Sequence, residues 1–143
     1  MTTGKEREGV RWMGGLFWIM GLGNLGNGLW MLLAPLNWFQ YLPAGVPDTG
    51  PFNHHFVQDI GAAFTTIGVL FIVSARRALE RRGVVLAAAL FYGLHAVVHV
   101  ADVHEGRLHA DHLRLDFPLV YLPTILLLVM ALPFWWPKAP ARD

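Results

Sequence analysis

The chain has 143 residues, of which 55% are hydrophobic and only 15% are charged, whereas about 25% are charged in a soluble globular domain. A formal net charge of +1 offers no basic surface for nucleic acid. The absence of cysteine excludes disulfides, thiolate metal sites, iron–sulfur clusters and thiol catalysis. Because the apolar residues lie in long runs, the composition predicts a single all-α membrane domain over residues 1–143, a four-helix bundle.

The first apolar run, residues 12–34, reaches the ~20 residues that a membrane-spanning helix needs. It is longer than the ~7 to 15 apolar residues of a signal peptide, so we predict a retained helix. Gly14, Gly21 and Gly28 recur every seven residues and are predicted to let a neighbouring helix approach closely. Residues 35–53 are rich in proline and aromatic side chains, which predicts a segment at the membrane interface.

Three further helices are predicted at residues 54–75, 83–104 and 117–136. Positive charge is concentrated in the N-terminal segment, the loop SARRALERRG and the C-terminal tail, whereas the other two loops carry only two arginines. The positive-inside rule therefore predicts that both termini are cytoplasmic. The arginine loop is also suited to contact with anionic lipid.

The third predicted helix carries His95, His99 and Asp102 at positions i, i+4 and i+7, within about 60° of one another on an α-helix. Their neighbours are apolar, and ionisable groups at membrane depth are expensive and usually functional. On the second helix, His55 and Asp59 form a similar pair. The helical rise of 1.5 Å per residue places the two sets at the same level, so we predict that they face each other.

Polar residues of the other two helices are predicted in the same outer layer, as ligand-binding candidates: Asn24, Asn27, Tyr121 and Thr124. Histidine and carboxylate without cysteine suit a divalent metal such as zinc, iron or manganese. The predicted metal ligands are His55, Asp59, His95, His99 and Asp102. Haem is less favoured because His95 and His99 share one helix and cannot bind one iron from opposite faces.

The leading functional hypothesis is a small metal-dependent membrane enzyme or redox protein. One alternative is a non-enzymatic ligand-binding, proton-relay or transport component, in which an apolar groove would favour a lipid-like ligand. Another is an accessory subunit of a membrane complex, or a homo-oligomer, in which a purely structural His/Asp network holds the helices together. Four of the polar residues of the third loop are interpreted as solvated side chains in preference to a surface metal site or the guard of an entrance: His109, Asp111, His112 and Asp116.

The layout resembles small four-helix bacterial membrane proteins of the DoxX-like type. The resemblance is carried by GLWMLLAP at the end of the first helix, WFQYLP after it, and DIGAAFTTIGVLFIVSARR in the second. It implies a multi-pass protein of the bacterial inner membrane, and some members are associated with oxidoreductase systems. The HxxxHxxD pattern of residues 95–102 has no counterpart in that family's pattern.

Overall fold

The computed structural model describes the backbone of residues 4–135 and the side chains of residues 13–132 except that of residue 78. This part of the chain is helical and contains no strand. In chain order the helices are α1 (Gly4–Leu33), α2 (Pro35–Tyr41), α3 (His54–Arg76), α4 (Arg81–His104), the single turn α5 (His112–Leu115) and α6 (Leu122–Trp135). Short 3-10 turns lie at Val46–Thr49 and Ala78–Glu80, and a π-helical turn, Phe117–Tyr121, leads into α6.

Three of these helical stretches are long and apolar enough to cross a membrane: Met13–Leu33, His54–Arg76 and Arg81–His104. The described residues are therefore all-α, as predicted. The three stretches suggest a membrane protein and are compatible with contact with a lipid bilayer. The fourth apolar stretch, Phe117–Leu132, is shorter than these three. The four-helix bundle and the cytoplasmic termini stay predictions.

The boundaries of α1 and α2 differ from those predicted. α1 begins at Gly4 instead of residue 12, because the polar residues between them include good helix formers such as glutamate, lysine and arginine. Residues 35–53 were predicted only as a segment at the membrane interface, and within them Pro35 starts the additional helix α2. Proline is well accommodated in the first turn of a helix, where its missing N–H has no intrahelical acceptor in any case.

The described chain divides into two compact units, residues 1–84 and residues 85–143, which we call unit 1 and unit 2. Unit 2 begins within α4, just after its first turn. The prediction that all 143 residues form one membrane domain stays a prediction.

Unit 1 is organised around the close packing of α1 against α3. A Cβ atom added to Gly28 would lie 2.5 Å from the backbone nitrogen of Thr65, and one added to Gly68 would lie 2.5 Å from the backbone nitrogen of Leu25. No side chain fits between the helices at these two positions. The prediction that the glycine repeat of α1 allows a close helix contact is therefore confirmed at Gly21 and Gly28, whereas an added Cβ atom at Gly14 would make only ordinary contacts.

α2 is tied to the end of α1 by two tryptophan–asparagine hydrogen bonds. Trp38 donates from its indole nitrogen to the side-chain oxygen of Asn27, and Trp30 donates to that of Asn37, each over 2.8 Å. The first bond is partly buried and the second is exposed. Together they fix the direction in which the chain leaves α1.

Unit 2 has a buried face on α4 and a second buried line that runs from the third loop into α6. The members of this line recur every fourth residue, and from His112 onward they follow the successive turns α5, the π-turn and α6. Its members are Leu108, His112, Asp116, Val120 and Thr124, and all five are buried. The hydroxyl of Thr124 lies 3.1 Å from the carbonyl oxygen of Tyr92 and 2.6 Å from that of Val120, so α4 and α6 are joined within the unit.

Candidate functional site

The most buried ionisable group in the described chain is Asp116, which has no exposed surface. Its Oδ2 atom lies 2.7 Å from Nδ1 of His99, whose side chain is only 18% exposed. The partners are 17 residues apart and belong to different elements, since His99 lies on α4 and Asp116 directly follows α5. A short hydrogen bond thus joins a partly buried imidazole to a fully buried carboxylate within unit 2.

Two more histidines lie beside this pair. His112, which is 3% exposed, has Nδ1 3.9 Å from the same carboxylate oxygen of Asp116. The ring of His95 meets that of His99 edge-on, with 4.6 Å between the ring centroids. We call His95, His99, His112 and Asp116 the His/Asp cluster.

The pairing of His99 with Asp116 is compatible with two placements of one proton. When the carboxylate is ionised, the Nδ1–H group of His99 donates to it; when the carboxyl group is protonated, its O–H group donates to Nδ1. The second carboxylate oxygen, Oδ1, is buried and has no hydrogen-bond partner among the described residues. The pair therefore has one fixed hydrogen bond and one buried acceptor left over.

Only part of the predicted stripe on α4 enters the cluster. His95 and His99 lie together as predicted. Asp102 is held instead by Arg107 of the following loop, whose NH2 group is 2.6 Å from Oδ1 of Asp102. This hydrogen bond, with a weaker contribution from Glu105, raises the pKa of Arg107. Asp102 therefore belongs to an ion pair at the end of α4.

The predicted pair of unit 1 forms on a surface. Nε2 of His55 lies 3.3 Å from Oδ2 of Asp59, and their side chains are 87% and 63% exposed. The pair joins positions i and i+4 within one helix, so α3 alone is sufficient to form it.

The four predicted ligand-binding residues have local partners or line a groove. Asn24 donates to the carbonyl oxygen of Met20, and Asn27 accepts from Trp38. Tyr121 and Thr124 line an open groove of unit 2, with a volume of about 400 Å³, together with Val100, Leu113, Phe117 and Ile125. The Tyr121 hydroxyl is buried and has no hydrogen-bond partner among the described residues.

The third loop corrects one sequence interpretation and confirms another. His109 and Asp111 are solvated, as predicted, and form an exposed pair 3.0 Å apart. His112 and Asp116 were predicted to be solvated too, and this was wrong because both are buried. The helical turn α5 directs them inward at i and i+4. The four-residue spacing from Leu108 to Thr124 was the signal that identifies them, and the polar composition of the loop concealed it.

A metal-binding group is not formed by the residues that the structure describes. Among them, no three histidine, aspartate or glutamate side chains are arranged to hold a metal ion. The five predicted ligands include Asp102 in its ion pair with Arg107, and His55 with Asp59 in their exposed pair. The metal and haem hypotheses stay predictions.

Comparison with known proteins identifies no relative of the chain. No protein-family model, no curated protein and no solved structure matches the chain. The geometry of the His/Asp cluster is therefore the basis on which a function is proposed.

Proposed function

We propose that the chain is a multi-pass protein of the bacterial inner membrane in which the His99–Asp116 pair takes up and releases a proton. In this proposal the protein is a proton-relay or transport component, with both termini in the cytoplasm. The observation that carries it is the 2.7 Å hydrogen bond between Nδ1 of His99 and the fully buried carboxylate of Asp116. The DoxX-like resemblance agrees with the proposed fold and location.

A proton site explains the chemistry of the pair better than a structural hydrogen bond alone. Burying a carboxylate is costly, and a structural network offsets that cost when every polar atom has a partner. Asp116 keeps one buried oxygen without a hydrogen-bond partner in the described chain. Its partner is histidine, the side chain whose charge changes most readily near neutral pH. A permanently charged arginine, such as Arg107 beside Asp102, could not hand over a proton in this way.

The proposal is tested by proton flux into liposomes that contain the purified protein. The liposomes enclose a pH-sensitive dye, and a potassium gradient with an ionophore supplies the driving force. We expect His99→Gln and Asp116→Asn to reduce the protein-dependent flux to that of protein-free liposomes. The matched control is His109→Gln, which removes a histidine from the exposed pair with Asp111, and it should keep the wild-type flux.

Two outcomes would contradict the proposal. Wild-type liposomes that conduct protons no faster than protein-free ones would exclude a relay, and a folded Asp116→Asn protein with wild-type flux would exclude this pair as its site. Circular dichroism and gel filtration in detergent establish that each variant is folded.

The groove of unit 2 makes an apolar or lipid-like ligand part of the same proposal. Val100 and Phe117 line it and are the direct chain neighbours of His99 and Asp116. A ligand in the groove would therefore contact the residues that adjoin His99 and Asp116 in the sequence. A divalent metal, an enzymatic activity, a homo-oligomer and a role as accessory subunit stay predictions from the sequence.

A further inference from the structure

The turn between α3 and α4 presents a concentrated positive charge at one end of the α1–α3 packing. Residues 76–82 contain four arginines and one glutamate. The same end of α1 lies beside it, because a Cβ atom on Gly14 would be 3.8 Å from the carbonyl oxygen of Ala75. The membrane-spanning stretch of α3 ends at Arg76, so this turn begins where the apolar residues stop.

One of the four arginines builds the turn. Arg81 is 7% exposed and donates from Nε to the carbonyl oxygen of Ser74 and from NH2 to that of Ala75, each over 3.0 Å. These carbonyls belong to the last turn of α3, where intrahelical donors run out. Its guanidinium also lies over the ring of Phe17, 5.3 Å from the centroid. The buried contacts of Arg81 thus hold the turn in a fixed shape.

The other three arginines remain at the surface of this fixed turn. Arg76 is exposed and stacks on Trp18, with its guanidinium carbon 5.0 Å from the ring centroid. Arg77 is exposed and makes an ion pair of 3.3 Å with Glu80. Arg82 is exposed and has no carboxylate partner among the described side chains. One glutamate therefore faces three surface guanidinium groups.

The tip of the turn is apolar. Leu79 is fully exposed and lies between the arginines in sequence. A fully exposed leucine that is flanked by arginines in the sequence matches the boundary between lipid headgroups and acyl chains. Trp18 fits the same level, since tryptophan is enriched at the membrane interface.

We propose that residues 76–82 form a binding site for the phosphate headgroup of anionic phospholipids. Arg77 and Arg82 bind the phosphate, and Leu79 inserts among the acyl chains. Guanidinium groups match phosphate oxygens through paired hydrogen bonds. An acidic protein segment would satisfy the charges but would not explain an exposed leucine at the level where the apolar helix ends. The lipid is therefore the occupant that accounts for both features.

The test measures lipid binding by native mass spectrometry of the full-length protein released from detergent. Phosphatidylglycerol is titrated in competition with phosphatidylcholine, and inorganic phosphate and a poly-glutamate peptide are added as competitors. We expect Arg77→Gln combined with Arg82→Gln to weaken phosphatidylglycerol binding by about thirtyfold, since a cation near the membrane surface contributes roughly a factor of five. Leu79→Gln should weaken binding of the long-chain lipid but not of its short-chain analogue.

The matched control removes two arginines outside the turn, Arg107→Gln with Arg114→Gln, and should leave the affinity unchanged. Equal losses in the control and in the Arg77/Arg82 variant would overturn the proposal, because any surface arginine would then serve. So would effective displacement by inorganic phosphate or by poly-glutamate, which would indicate a free-anion site or a protein-docking surface. All substituted side chains are exposed, and retained helix content establishes that the variants fold.

Discussion

In unit 1 the buried side chains of Asn24 and Arg81 donate to backbone carbonyls, whereas in unit 2 the largely buried side chain of His99 is paired with the fully buried Asp116. Asn24 and Arg81 of unit 1 donate to the carbonyl oxygens of Met20, Ser74 and Ala75. His99 and Asp116 of unit 2 share one short hydrogen bond. A backbone carbonyl has no proton to exchange, so the buried bonds of unit 1 do not change with pH. The pair in unit 2 can hold its proton in more than one way.

The same comparison separates the two His–Asp pairs. The His55–Asp59 pair is formed within one helix and is exposed, while the His99–Asp116 pair joins two elements and is buried. Exposed ion pairs contribute about 0 to 1 kcal/mol, whereas leaving a buried polar group without its partner costs about 1 to 3 kcal/mol. Chemical identity alone therefore does not determine what a histidine and an aspartate do in this chain.

The largest effect is expected from breaking the close packing of α1 against α3 in unit 1. Gly68→Ala places a Cβ atom 2.5 Å from a backbone nitrogen of Leu25, which cannot move aside as a side-chain end can. We expect a loss of about 3 kcal/mol in the free energy of unfolding, at the upper end of overpacking effects. The measurement is chemical unfolding in detergent micelles.

Gly26→Ala on α1 is the matched control for this substitution, because nothing lies within 4 Å of its added Cβ atom. It should be neutral or slightly stabilising, since alanine is the better helix former. If both variants unfold alike, the close contact between α1 and α3 is not what stabilises unit 1.

A smaller effect is expected from Asp116→Ala, which leaves His99 buried without its partner. The free energy of unfolding should fall by about 1 to 3 kcal/mol. Asp59→Ala removes the same kind of partner from His55 at the surface and should change stability by less than about 0.5 kcal/mol. Thermal unfolding of the two variants, compared with wild type, measures the difference. Equal losses would mean that burial does not distinguish the two pairs.

The smallest effect is expected from removing the tryptophan–asparagine hydrogen bonds. One of them is partly buried and the other exposed, so they compare the two kinds of contact within unit 1. Trp38→Phe removes the partly buried bond to Asn27 and should cost about 1 kcal/mol. Trp30→Phe removes a bond of equal length to Asn37 at the surface and should cost measurably less. A reversed order in chemical unfolding would contradict the assignment of α2 as a packed part of unit 1.

Local periodicity predicted the long helices and the glycine contact well. Length and hydropathy identified α1, α3 and α4 to within a few residues at most ends. The seven-residue glycine repeat predicted that a neighbouring helix packs closely on α1, and the structure identifies that helix as α3. These features depend on residues close together in sequence. The start of α1 at Gly4 and the helix α2 from Pro35 were not predicted. Residues 4–11 are polar but have a high helix propensity, and proline is well accommodated in the first turn of a new helix.

The candidate site was predicted only in part, because its decisive contact is not local. His99 and its neighbour His95 were identified from helical spacing, but Asp116 was assigned to a solvated loop. The spacing on α4 predicted that Asp102 is the carboxylate beside His95 and His99. Asp102 forms an ion pair with Arg107 instead. The burial of Asp116 follows from a four-residue repeat that crosses the loop, and a polar loop composition hides such a repeat.

The π-turn at Phe117–Tyr121 has a consequence for the length of the chain. Its hydrogen bonds span five residues, from the nitrogen of Leu122 to the carbonyl oxygen of Phe117, so it holds one residue more than an α-helical turn. Removing one residue from this turn would restore an ordinary α-helix and keep Asp116 and Thr124 on one face. Removing one residue from the middle of α6 would instead rotate everything after it by about 100°. Sequences descended from a common ancestor with this chain can therefore differ by a single-residue gap here and still share one architecture.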